Sequence, residues 1–196
     1  MCKTLALGTV AAVLVLAIGS TDAMGQDNVF AVSYFSNAHT RGAPEAVLRL
    51  VNDGTVSDAS PAGDLCASVY VFDSAEELNE CCSCRITPNG ILSLSVNTNL
   101  TSDTVTGRTP TRGIVKVVSS SLSAGSCSAA VMAPQAGIRG WITHVQRASR
   151  GFSITEEELT DSTYGSRESA DLAEDCTVII ELAGGMGICS CADSNQ

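Results

Sequence analysis

Residues 80 to 84 read ECCSC and residues 188 to 191 read ICSC, and this crowding of cysteines limits the chain more than any other feature. Cysteines one or two positions apart in regular backbone do not meet disulfide geometry without strain, so Cys81, Cys82 and Cys84 each require a distant partner. The same holds for Cys189 and Cys191. Nine cysteines are present, and Cys2 falls in a leader, which leaves the even set Cys66, Cys81, Cys82, Cys84, Cys127, Cys176, Cys189 and Cys191. In an oxidising compartment an even set reads as disulfides with no free thiol. The layout suggests two bridges clamping Cys189 and Cys191 onto the ECCSC segment, with Cys66 as the third partner of that cluster. Cys127 and Cys176 would then form a separate bridge. Eight cysteines permit on the order of a hundred pairings, so this connectivity is one expectation among many.

A metal centre is the rival use of such thiols. Zinc sites show C-x2-4-C pairs and iron–sulfur runs show C-x2-C spacing. Here the one two-residue gap, Cys81 to Cys84, is interrupted by Cys82. Exported thiols also tend to oxidise before they capture a metal. Structural disulfides are therefore expected, with no metal and no cofactor.

The leader is an uncharged apolar run from Thr4 to about Gly19 behind a single positive charge at Lys3. That layout is a secretory signal, shorter than the roughly 20 residues of a spanning helix. Two small-x-small cleavage sites, Thr21-Asp22-Ala23 and Ala23-Met24-Gly25, put the mature start near Met24 or Gln26, the second giving the more polar start. The expected organisation is a signal peptide over residues 1–25 and one disulfide-stabilised domain over residues 26–196. Such a product is secreted, extracellular or periplasmic, with no membrane anchorage after cleavage. At about 170 residues it can bury a core of its own, which the disulfides reinforce.

Charge narrows the partners. The formal net charge is −10, and beyond the leader nine arginines and Lys116 are the only cations, so nucleic acid is a poor partner. Between Glu156 and Glu181 nine carboxylates stand against Arg167 alone, which reads as a solvated helix face.

Up to about residue 147 the pattern is strand after strand: 29–36, 46–51, 65–72, 91–97, 113–119 and 138–147 are rich in β-formers and mostly alternate. Turn residues such as Asn52-Asp53-Gly54, Ser60-Pro61-Ala62-Gly63, Pro88-Asn89-Gly90 and Thr109-Pro110-Thr111 separate them, at spacings that suit an antiparallel β-sandwich. Two helices are expected. Ser74-Ala75-Glu76-Glu77 has the form of a capping box opening a short helix into Cys81 and Cys82. Residues 167–183 put Leu172, Cys176, Ile179, Ile180 and Ala183 on one stripe, ended by Gly184-Gly185. Thr155-Glu156-Glu157-Glu158 offers another cap, within a stretch from Gly151 to Gly165 expected to be mostly loop.

The run LCASVYVFDSAEELNECCSCRITPNGILSLSVN resembles a stretch found in exported cysteine-rich bacterial proteins. The resemblance implies a secreted, cysteine-bridged protein and carries no activity with it. Separately, AVLRLVNDG followed by a strand ending VYVFD is similar to the B and C strands of immunoglobulin-like sandwiches, a likeness of fold alone.

Catalytic signatures are sparse. The histidines are His39, in a loop, and His144, which strand alternation groups with Ile142 and Gln146 as a packed residue. There is no G-x-S-x-G elbow, H-E-x-x-H helix or glycine-rich phosphate loop. Trp141 is expected in the core rather than as a sugar platform, and Asn99-Leu100-Thr101 is an incidental match to a glycosylation acceptor. The expected function is that of a non-catalytic surface, envelope or extracellular interaction protein, its partner a protein or envelope component. The alternatives are an exported hydrolase with a loop-built site and a cysteine-cluster metal binder.

Overall fold

The computed structural model describes residues 29–56 and 63–192; the expected leader, its expected cleavage sites and most of the Ser60–Gly63 turn lie outside them. The chain forms two antiparallel sheets closed over a common core. In order along the chain the elements are β1 (Phe30–Ser36), β2 (Val47–Asn52), β3 (Leu65–Asp73), β4 (Leu78–Ile86), β5 (Ile91–Ser95), β6 (Arg112–Ser121), β7 (Ala133–Pro134), β8 (Ile138–Ala148), β9 (Gly151–Glu158), β10 (Thr160–Asp161) and α1 (Ser166–Leu182). One sheet runs β10-β1-β6-β3-β4, with β7 on β6, and the other runs β5-β2-β8-β9. No helix among the described residues is long and apolar enough to cross a membrane.

Alternation explains which face each strand buries. In β2, Leu48, Leu50 and Asn52 are buried while Val47, Arg49 and Val51 are half-exposed. β3 differs, because nearly all of it is buried on both faces. Leu65, Ala67, Val69 and Val71 face the second sheet. Tyr70 faces outward into a second cluster with Phe30, Val118, Leu172, Cys176 and Ile179. This outer cluster exists because α1 lies across the larger sheet, its stripe Leu172, Cys176 and Ile179 pressed down. Lys116 of β6 fixes the start of α1 through a 2.6 Å bond to Glu168, in the first turn, where the helix dipole favours a carboxylate. The Tyr70 hydroxyl donates to the Ala129 carbonyl at 2.5 Å and so ties the segment before β7 to the same face.

Several expectations need correction. The residues after Ser74 form a hairpin turn and a strand, where a capped short helix was expected. The Asp73 carboxylate accepts from the N–H groups of Ala75 and Glu77, and Glu76 adopts a left-handed φ of 67°, which reverses the chain into β4. The strand expected to reach Asn97 stops at Ser95, where a single π-helical turn over Val96–Leu100 begins, capped by the Ser95 hydroxyl accepting from the Thr98 N–H. Gly151 to Asp161 is strand rather than loop, so Thr155 to Glu158 caps no helix. Ile180 is exposed and lies outside the docked stripe of α1. Trp141 is half-buried on the outer face of the smaller sheet, with the Arg139 guanidinium 5.7 Å from its ring, so it is not a core residue.

Candidate functional site

β4 decides the disulfide pattern because its side chains alternate. Cys82, Cys84 and Ile86 point into the core, while Cys81 points outward to α1. Cys81 joins Cys176 of the helix, with Cα atoms 5.9 Å apart. Cys82 joins Cys189 and Cys84 joins Cys191, at Cα separations of 5.2 and 5.4 Å, all inside the usual disulfide range. Cys66 of β3 joins Cys127 of the loop after β6. The tail is thus bridged to the ECCSC segment twice. The expected Cys127–Cys176 bridge and the link from Cys66 to the cluster are not formed. The reason is geometric: the helix covers the outward side chain of β4, and Cys66, in the strand beside it, is covered by the 127 loop.

The tail is more than tethered. Gly187 accepts from the Cys81 N–H at 2.9 Å and Cys189 donates to the Cys81 carbonyl at 3.3 Å, a parallel bridge along the free edge of β4. Ser190 donates to the Asn99 carbonyl, and the Asn99 side chain donates to Ala192 while accepting from the Ser95 N–H. The tail therefore closes the seam between β4 of one sheet and the π-helical turn after β5 of the other. Asn99 is buried in that role, which accounts for its apparent acceptor motif. Gly187, at φ 77°, sits where helix, β4 and tail converge; a Cβ there would lie 2.7 Å from Ile179.

Above the clamp lies a groove of about 380 Å³, at the small end of the range for ligand pockets. Its walls are Ile180 of α1, Ile188 of the tail and Ser128 and Ala129 of the 127 loop, with Ser83 of β4 in the floor. Each of the four disulfides contributes at least one half to the lining, through Cys81, Cys82, Cys127, Cys176, Cys189 and Cys191. The lining is mainly apolar, and the walls are cross-linked to one another.

Under the clamp, Glu80 is fully buried. One carboxylate oxygen accepts the Asp103 N–H at 2.7 Å and the other has no partner. Burial, helped by the neighbouring Asp103 charge and opposed by that N–H bond, raises its pKa from 4.5 to about 7. The Asp103 carbonyl in turn accepts from Gly187 at 2.5 Å, so the carboxyl and the tail share one hydrogen-bonded loop.

The histidines stand elsewhere. His144 is buried beside Tyr34, ring centroids 4.1 Å apart, and its Nε2 lies 3.7 Å from the Glu157 carboxylate. Its Nδ1 is buried without a hydrogen-bond partner, so no hydroxyl or thiol among the described residues is bonded to it as a nucleophile. His39 is exposed, at φ 52°, and its Nε2 bonds the Thr101 hydroxyl at 2.8 Å. The two histidines thus sit in separate settings, and neither lines the groove. The sequence reading missed the groove and Glu80, because both arise from the docking of the tail, and in ECCSC the glutamate reads as a solvated charge.

A scan against protein-family models, a search of curated proteins and a search of solved structures each found no match to this chain.

Proposed function

We propose that this chain is a secreted, non-catalytic interaction protein of a surface, envelope or extracellular setting, and that the disulfide-framed groove is where its partner sits. The observation that carries this reading is the groove itself: an apolar surface whose walls are linked through four disulfides loses little conformational freedom on binding, and such preorganisation favours affinity. Four cystines also accord with an oxidising compartment. The partner is a protein or envelope component that presents an apolar side chain to Ile180 and Ile188.

The test is a photo-crosslinking residue placed at Ile180 or Ser128, against a control at Arg150 on the β8–β9 turn, in the exporting host. A discrete adduct from the groove positions and none from the control is expected. No adduct from either groove position, together with a hydrolytic activity lost in His144→Asn, would replace this reading with that of an exported hydrolase.

A further inference from the structure

The two clamp disulfides lie side by side. Both span 107 residues of sequence, and they bring Cys82 Sγ within 3.9 Å of Cys84 Sγ. The sulfurs of Cys82, Cys84 and Cys191 all lie within 4.8 Å of one another, and Cys189 Sγ is bonded directly to Cys82. Four thiolates around a zinc ion at about 2.3 Å would stand about 3.8 Å apart along the edges of the tetrahedron. The spacing already present between the two β4 sulfurs matches one such edge. Two Cys-x-Cys pairs, one on β4 and one on the tail, lie in parallel register beside the Cys81–Ile188 bridge, so that each β4 cysteine stands opposite a tail cysteine.

We propose that on reduction these four cysteines form a tetrathiolate site for a zinc-class cation, so that the tail stays fastened to β4 by metal where it was fastened by disulfides. The chemistry balances. Each disulfide takes up two electrons and two protons from a dithiol donor, which is itself oxidised to a disulfide, and four thiols result. Binding of Zn²⁺ then releases four protons and leaves four thiolates on the ion. Cys191 is the exposed member of the set and gives the reductant its point of entry, while Cys82, Cys84 and Cys189 are buried. The other two disulfides do not share this arrangement. Cys66–Cys127 and Cys81–Cys176 contribute no sulfur to the cluster.

The wild-type chain itself provides the test. It is reduced with a water-soluble phosphine, freed of reductant without air, given one equivalent of Zn²⁺ and then alkylated. Protection of Cys82, Cys84, Cys189 and Cys191, with Cys66, Cys81, Cys127 and Cys176 labelled, is the expected result. Co²⁺ in place of Zn²⁺ should give the absorption of a tetrahedral thiolate complex at one ion per chain. That signal should persist in Cys66→Ser/Cys127→Ser and vanish in Cys84→Ser/Cys191→Ser. Even labelling of all eight cysteines overturns the site, as does equal Co²⁺ uptake by wild type and Cys84→Ser/Cys191→Ser. Loss of uptake in Cys66→Ser/Cys127→Ser would also overturn it, because the ligands would then lie elsewhere. None of these outcomes depends on what occupies the groove.

Discussion

β4 and β9 each end a sheet, and they are guarded against further pairing in different ways. β9 is exposed along almost its whole length and carries Glu156, Glu157 and Glu158 in succession. Besides the ladder with β8, it is joined to neighbouring strands by the exposed pairs Arg49–Glu156 and Arg139–Glu158 and by the approach of His144 to Glu157. Charge alone makes it a poor template for another strand. β4 has buried apolar and cysteine side chains on both faces and would be a sticky edge if left open. The tail covers it, held by two disulfides and a pair of backbone hydrogen bonds. An edge that lies inside the core must be covered by chain, whereas an edge in water can be protected by side chains.

The largest effect should come from stripping the covered edge. Replacing Cys82, Cys84, Cys189 and Cys191 with serine removes two bridges, but Cys81–Cys176 remains and already joins the ends of most of the span, so the first bridge closes an effective loop of only about 15 residues and contributes about 3 kcal/mol in the chain-entropy model. The second adds less, since it closes a loop already closed. A guanidinium midpoint well below wild type and proteolysis beginning after Gly184 are expected. An unchanged midpoint would show that the clamp adds nothing to stability.

Next comes the helix beneath the groove. Ile179→Asp exchanges a buried side chain for an unpaired charge and should cost on the order of 3 kcal/mol or more. The same change at exposed Ile180 should leave the melting temperature nearly untouched, which would separate docking from groove lining in one pair of measurements.

Glu80 sharpens the comparison through pH. Its carboxyl is raised from 4.5 to about 7 in the folded chain, so between those values the folded state keeps a proton that the unfolded chain has released. Stability should be highest below about pH 4.5 as far as this group is concerned, fall as pH rises, and have lost its share above about pH 7. That share is on the order of 3 kcal/mol. Unfolding of Glu80→Gln should lack this slope, and an equal slope in both proteins would assign the pH dependence to other groups.

The smallest effect belongs to the edge in water. A double-mutant cycle on Arg49 and Glu156, whose side chains are both partly exposed, should give a coupling below about 1 kcal/mol. A value as large as that of the clamp would mean that β9 depends on its ion pairs after all.

Alternation made β1, β2, β5, β6 and β8 legible in the sequence, and β3 was legible as an unbroken run of β-formers between turn residues. The α1 stripe was equally plain. β4 was hidden by its own composition: adjacent cysteines give apolar residues on both faces, so period-two alternation disappears, and Ser74 to Glu77 imitates a helix cap. β9 was hidden for the opposite reason: past Ile154 its residues are polar on both faces, and Thr155 to Glu158 imitates a helix cap. The pairing of Cys81 with Cys176 could not be read without knowing that β4 is a strand, because only then do Cys81 and Cys82 point to opposite sides.

The clamp also sets how the molecule carries load. Tension entering from the β1 end travels along the backbone to Cys84 and crosses to Cys191 through the disulfide, bypassing the 107-residue span between them. That span, roughly 360 Å of fully extended chain, is shielded from a steady pull on the two ends. Stretched in this way, the oxidised protein lengthens only by what lies outside the covalent shortcut, and the backbone of the bypassed span, which holds the smaller sheet's β5, β8 and β9 and helix α1, is not drawn out.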